Sequence, residues 1–140
     1  MLFRSIQNYI QLKDVDGVWI SLLENVSEEK LNELYKNSKV LLIPSIDEGF
    51  CLPAIESISR GTPAIHCNHA SLPEVAPISR KLEIMSDSDF TNLVSLAKGL
   101  LQNENFWEET LKLQIKNIYK FNFPDFQKEW IQLVNGILRN

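Results

Sequence analysis

One stretch constrains this chain more than any other. It runs Val40-Leu41-Leu42-Ile43, then Pro44-Ser45-Ile46-Asp47-Glu48-Gly49-Phe50-Cys51, then Leu52-Pro53-Ala54-Ile55-Glu56. The four apolar residues read as a strand buried on both faces, the pattern of a parallel sheet. A turn with a single glycine follows, and an amphipathic segment opens with Pro53. Proline suits the first helical position because its missing N–H would lack an intrahelical partner there anyway. The main-chain amides of Gly49, Phe50 and Cys51 are therefore expected where a strand ends and a helix begins. Ligands of open α/β sheets bind along that edge, and a helix N-terminus favours anions such as phosphate. Glu48 in the turn and Glu56 about one turn into the helix bracket the spot. Anion-binding amides beside hydroxyl-binding carboxylates suit a sugar nucleotide.

The rest of the chain supplies a matching alternation. A short helix is compatible with Leu2 to Leu12, and Val18 to Leu23 reads as a buried strand after the Asp16-Gly17 turn. Ser27 is a good N-cap, with Glu28 and Glu29 in the first turn and a stripe of Leu31, Leu34, Tyr35 and Ser38 behind it. Lys39 to Ile43 is the next strand. The helix from Leu52 to Arg60 places Leu52, Ile55, Ile58 and Ser59 inward, and Gly61 is positioned to end it. Pro63 to Cys67 is a third strand, and Asn68 to Ala76 a loop with a helical turn at Leu72-Pro73-Glu74. Lys81 to Met85 reads as an edge strand.

Helices then take over. Asp87 or Ser88 caps a stripe of Phe90, Leu93, Val94, Ala97, Leu100 and Leu101, which Asn103 breaks. The next stripe is Phe106, Trp107, Leu111, Ile115, Ile118 and Tyr119. After a break at Phe121-Asn122-Phe123-Pro124, Phe126, Trp130, Leu133, Val134 and Ile137 form the last. Trp19, Trp107 and Trp130 are core by default. Strands alternating with helices and then helices alone imply an α/β fold, a parallel sheet with flanking helices and a helical tail.

Length and charge exclude several function classes. One hundred and forty residues fit one compact domain. The net charge of −4 and the lack of a basic stripe give no support to nucleic-acid binding. No apolar run approaches the length of a transmembrane span, and the first residues lack the apolar core of a signal peptide. Cys51 and Cys67 do not make a disulfide framework, so a reducing, cytoplasmic setting is the expectation. No metal site is expected, because His66 and Cys67 are adjacent and would face opposite sides of a strand.

Glu48 and Glu56, with seven residues between them and Gly-Phe and Leu-Pro inside, resemble the E-x7-E signature of the group 1 (family 4) retaining glycosyltransferases. Three further blocks resemble that family in its order and at its separations. They are Val26-Ser27-Glu28-Glu29-Lys30-Leu31 with Leu34-Tyr35, Gly61-Thr62-Pro63-Ala64-Ile65, and Ser71-Leu72-Pro73-Glu74-Val75. The similarity runs from Val18 to Ile84 and continues more weakly through the C-terminal helices. One glutamate pair alone is weak evidence; four ordered blocks are strong evidence.

The resemblance implies a Rossmann-like half of a two-domain GT-B enzyme. It implies metal-independent transfer of a hexose, with retention, from a nucleoside diphosphate to a glycan or lipid acceptor. Glu56 would accept hydrogen bonds from the donor ribose. Glu48 would lie against the transferred sugar and stabilise positive charge at its anomeric carbon. Gly49, Phe50, Cys51 and Leu52 would offer main-chain N–H groups to the sugar and diphosphate. Asn68, Ser71 and Glu74 lie on the next sheet-edge loop, where the family sometimes contacts base or ribose. The nucleotide sugar is a substrate, so no cofactor is implied.

Some features depart from the family. Cys51 stands where glycine is commonest. If that position needs positive φ, cysteine is unfavourable, and if it needs only a small side chain, cysteine is a harmless lining residue. A thiol at a helix N-terminus is also open to a lowered pKa. Arg60 replaces a small or apolar residue and reads as a solvated helix end. Nothing before Val18 resembles the Gly-rich unit, with its Arg and Lys, that opens the family's donor domain. Residues 1–140 are accordingly expected to be one incomplete donor-binding domain without the N-terminal acceptor domain. A fragment, a split-gene product and a degenerate copy all fit, and any membrane association would be peripheral, through the missing domain. Two other readings stand beside the transferase: a non-catalytic interaction or regulatory domain derived from the donor half, and a sugar-nucleotide epimerase-like fragment.

Overall fold

The computed structural model describes residues 21–45, 47–67, 70–78, 89–121 and 123–138. The chain divides into two units, Met1–Leu31 and Asn32–Asn140. In the first, Ser21–Leu23 carry no strand, contrary to expectation. Ser27 does act as a cap: its hydroxyl accepts from the Lys30 amide at 3.3 Å, and its carbonyl accepts from the Leu31 amide at 2.9 Å. The expected helix at Leu2–Leu12, Val18 to Ile20 with Trp19, the Asn68–His69 pair, the strand at Lys81–Met85 and the Asp87 or Ser88 cap lie outside the described residues.

The described elements are α1 (Glu28–Asn37), β1 (Leu41–Ile43), α2 (Leu52–Ser59), β2 (Ala64–His66), the short α3 (Leu72–Val75), α4 (Asp89–Gln102), α5 (Glu104–Ile118), a 3-10 turn (Tyr119–Phe121) and α6 (Phe123–Leu138). Strands β1 and β2 pair in parallel, with Leu41 opposite Ala64, Leu42 opposite Ile65 and Ile43 opposite His66. This is the expected α/β arrangement, a parallel sheet with flanking helices and a helical tail.

Strand β2 is buried on both faces because its side chains alternate between two cores. Ala64 belongs to a cluster with Ile43, Cys51, Ala54, Ile58, Leu72, Val75 and Ala76. Ile65 and Cys67 join Leu93, Leu96, Leu100 and Phe106 on the other side. His66 follows Ala64, its ring nitrogen reaching the Ala76 carbonyl at 2.9 Å. His66 and Cys67 thus lie on opposite faces, as their adjacency in a strand requires.

Strand β1 departs from the pattern. Ile43 is buried, but Leu42 is 49% exposed. The helices that cover Ile65 do not extend over its neighbour, so the apolar run is only half enclosed among the described residues.

Helix α5 joins the two clusters. Phe106 packs in one, while Leu111, Ile115 and Ile118 border the other. Its buried line is Phe106, Thr110, Gln114 and Asn117 rather than the apolar stripe. Tyr119, assigned to that stripe, is exposed, as are Val94 and Leu101 on α4. Asn103 caps α5 by accepting from the Phe106 amide at 2.9 Å. Trp107 is partly buried and donates to the Lys39 carbonyl at 2.6 Å. Trp130 is 55% exposed, with Ile131 and Val134 also exposed on α6. Periodicity shows which residues share a helix face; it does not show whether another layer packs on that face. No helix among the described residues is long and apolar enough to cross a membrane.

Candidate functional site

The loop from β1 into α2 carries Glu48, Gly49, Phe50 and Cys51, and Leu52 and Glu56 follow within α2. It leaves the carboxyl end of β1 at Ile43 and enters α2 at Leu52, with Cys51 as N-cap and Pro53 in the first turn. Glu48 is half-buried, while Gly49 and Phe50 are exposed. Among the described residues none accepts a hydrogen bond from the main-chain amides of Gly49, Phe50 or Cys51. A Cβ built on Gly49 would meet nothing within 4 Å. The space beside that glycine is therefore open.

Cys51 answers the question its identity raised. Its φ of +56° lies in the left-handed region, where a non-glycine residue costs about 1–2 kcal/mol. Its side chain is buried in the core rather than lining the loop. Burial pushes the thiol pKa up, and the nearby Glu48 charge adds to this, while the Ala54 amide acts against both. Loss of solvent thus outweighs the Ala54 amide at the start of α2, and the thiol is not activated. Leu52, assigned to the inner face, is instead 61% exposed at the rim.

A second rim loop follows β2, and Ala70 there also adopts a left-handed φ, of +50°. Backbone strain of this kind clusters at functional sites. The two loops are joined through Ser71, whose hydroxyl donates to the Gly49 carbonyl and lies 3.4 Å from that of Glu48. Ser71 is thus used in holding the first loop. Glu74 is exposed, and its carbonyl accepts from Asn117, which also donates to Val75 at 3.1 Å. Phe50 meets Phe121 edge to face, with ring centroids 5.2 Å apart. The 3-10 turn after α5 therefore supports the loop from a third direction.

Glu56 lies on the side of α2 that faces α1. Its Oε2 accepts from the Tyr35 hydroxyl at 3.2 Å. Burial raises the Tyr35 pKa, and the Glu56 carboxylate raises it further by charge and by the hydrogen bond. Arg60 is not a solvated helix end. Its guanidinium sits 5.5 Å from the Tyr35 ring centroid, and it donates to Asn32 and, at 2.9 Å, to the Glu56 carbonyl.

Thr62 ties the same helices from below. Its hydroxyl donates to the Tyr35 carbonyl, with the Ser38 carbonyl 3.1 Å away. Gly61 supplies the required turn with a φ of +87°. The apolar stripe that contains Tyr35 gives no sign that its hydroxyl meets Glu56. A buried tyrosine must still find a partner for its hydroxyl, and that was the available signal.

Residues 17–121 match the family described as Glycosyl transferases group 1. The O-antigen chain mannosyltransferase B of Escherichia coli is 33% identical over 115 residues, covering 73% of this chain and 30% of the relative. The MMP alpha-(1->4)-mannosyltransferase of Mycolicibacterium hassiacum is 34% identical over 79 residues, 56% of this chain and 19% of that protein. The O-antigen chain mannosyltransferase RfbU of Salmonella typhimurium is 41% identical over 56 residues, 40% of this chain and 15% of that protein. The chain thus spans less than a third of the length of each of these relatives. No solved structure gave a significant match. With three quarters of its length inside the family match and the Glu48–Glu56 loop at the carboxyl end of a parallel strand, the chain belongs to the group 1 glycosyltransferases.

Proposed function

We propose that this chain is the donor-binding part of a retaining glycosyltransferase that moves a hexose from a nucleoside diphosphate to a glycan or lipid acceptor. The relatives' names make mannose the favoured sugar and an O-antigen-type glycan a favoured acceptor. The observation that carries the reading is the loop between β1 and α2. It combines main-chain amides with no acceptor among the described residues and open space beside Gly49, with Glu48 before that glycine in the sequence and Glu56 after it in α2.

In this reading Glu56 accepts from the ribose hydroxyls, and amides from Gly49 to Leu52 donate to the sugar and diphosphate. The bond between the anomeric carbon and the diphosphate oxygen breaks. The acceptor oxygen bonds to the same face of that carbon, and its proton passes to the leaving diphosphate. Glu48 stabilises the positive charge that develops on the sugar ring. An acceptor-binding domain outside residues 1–140 completes the active site, so the chain alone binds donor but turns over poorly.

Calorimetry with UDP-, GDP- and ADP-sugars tests this. Saturable binding of one of them, lost on Glu56→Ala, is the expected result. No binding by the folded chain, together with a tight protein complex, would support the non-catalytic interaction domain instead.

A further inference from the structure

Glu56 does not stand alone. Its Oε2 is held by the Tyr35 hydroxyl, 21 residues earlier in the chain and on a different helix. A glutamate on a helix surface samples several rotamers, and binding a diol requires one of them. A fixed donor on one carboxylate oxygen reduces that freedom and leaves the other oxygen to accept.

The donor is itself fixed. Tyr35 is buried, its ring lies beside the Arg60 guanidinium, and its carbonyl accepts from Thr62. Arg60 in turn donates to Asn32 on α1 and to the Glu56 carbonyl. Arg60, at the C-terminal end of Glu56's own helix, thus touches both the Tyr35 ring and Asn32 of α1, and ties the two helices together beside the Tyr35–Glu56 contact.

We infer that Tyr35 is a positioning residue for Glu56, orienting its carboxylate toward the ribose hydroxyls of the donor nucleotide. The inference rests on the proposed function and deepens it. At 3.2 Å the contact is long for a hydroxyl donor. Such bonds often tighten only when ligand is present.

The test compares the 140-residue chain with Tyr35→Phe and Glu56→Gln, using GDP and UDP and their 2′-deoxy forms in calorimetry. Tyr35→Phe keeps the ring and its Arg60 contact and removes only the hydroxyl. It should weaken ribonucleotide binding about two- to tenfold, the range of one hydrogen bond, and leave the 2′-deoxy form nearly unchanged. A purely structural tyrosine would weaken both forms equally, and that result overturns the inference. If Glu56→Gln loses the discrimination and Tyr35→Phe keeps it, the inference fails and the donor-binding reading stands. If Glu56→Gln keeps it, or the parent chain binds neither nucleotide, both fail.

A second measurement needs no ligand and no change at Tyr35. By NMR of ring-labelled tyrosine, Tyr35 should titrate above the ordinary tyrosine range and fall toward it in Glu56→Gln. An unmoved titration means the two groups are not coupled, and that also overturns the inference.

Discussion

Gln114 closes one edge of β2 by acting as a strand partner for Ala64. Its Oε1 accepts from the Ala64 amide at 3.0 Å, and its Nε2 donates to the Ala64 carbonyl at 2.6 Å. The reason lies in the parallel register. The Leu41 amide bonds the Pro63 carbonyl at 2.9 Å, so Ala64, opposite Leu41, turns its own groups away from β1. Both Gln114 and Ala64 are fully buried, and water cannot replace the bonds.

Replacing Gln114 with leucine keeps the volume and strands both groups of Ala64. A buried polar group left without a partner costs about 1–3 kcal/mol. Gln114→Leu should therefore lower stability in urea unfolding by several times the effect of a surface substitution such as Lys112→Ala.

Two glycines should respond in opposite ways. Gly61 has a φ of +87°, so Gly61→Ala should cost about 1–2 kcal/mol with no direct effect on ligand. Gly49 lacks a positive φ, and an added Cβ meets no protein atom. Gly49→Ala should change stability by less than about 0.5 kcal/mol. It should still weaken nucleotide-sugar binding by roughly tenfold or more, since the methyl occupies the space offered to the ligand. Thermal melts and calorimetry on the two variants separate the effects.

His66 should make stability fall on mild acidification. Burial lowers its pKa below the ordinary value near 6.5, against the opposing bonds to the Ala76 and Cys67 main chain. As pH drops through about 6.5, the unfolded chain takes up a proton that the folded chain refuses. The unfolded state then binds more protons, so stability rises with pH across this window, by up to about 1.4 kcal/mol per unit. The loss stops once pH passes below the folded pKa. His66→Gln removes this component, so the parent-minus-variant difference between pH 7.5 and 5.5 is the quantity to measure.

The thiols should be slow to alkylate in the folded chain. Cys51 and Cys67 are both buried, and the Cys51 pKa is pushed up. Iodoacetamide at pH 8 should label them at least about tenfold more slowly than in the denatured chain. Rapid native labelling of Cys51 would mean that the β1–α2 loop opens or that the thiol is activated.

Local chemistry was legible without coordinates. The strand–turn–helix order around Glu48, the Ser27 cap, the break at Asn103 and the Gly61 turn all follow from short-range rules about donors, acceptors and φ. The α/β class follows from the alternation of elements, and the family from four ordered blocks. Apolar stripes served less well. They marked Phe106 correctly, yet left out Thr110, Gln114 and Asn117, the polar residues that α5 buries. Such residues become core only when a particular strand edge or loop carbonyl is brought against them.

The same limit governs the site. The chain's order of residues determined that Glu48 and Gly49 would follow a strand and that Glu56 would fall in the helix after them, because they are close along the backbone. Only the tertiary structure decided that Tyr35 holds Glu56, that Ser71 holds Gly49 and that Phe121 meets Phe50. Those contacts join residues 21 to 71 positions apart, and no periodicity within one element encodes which distant side chain will meet it.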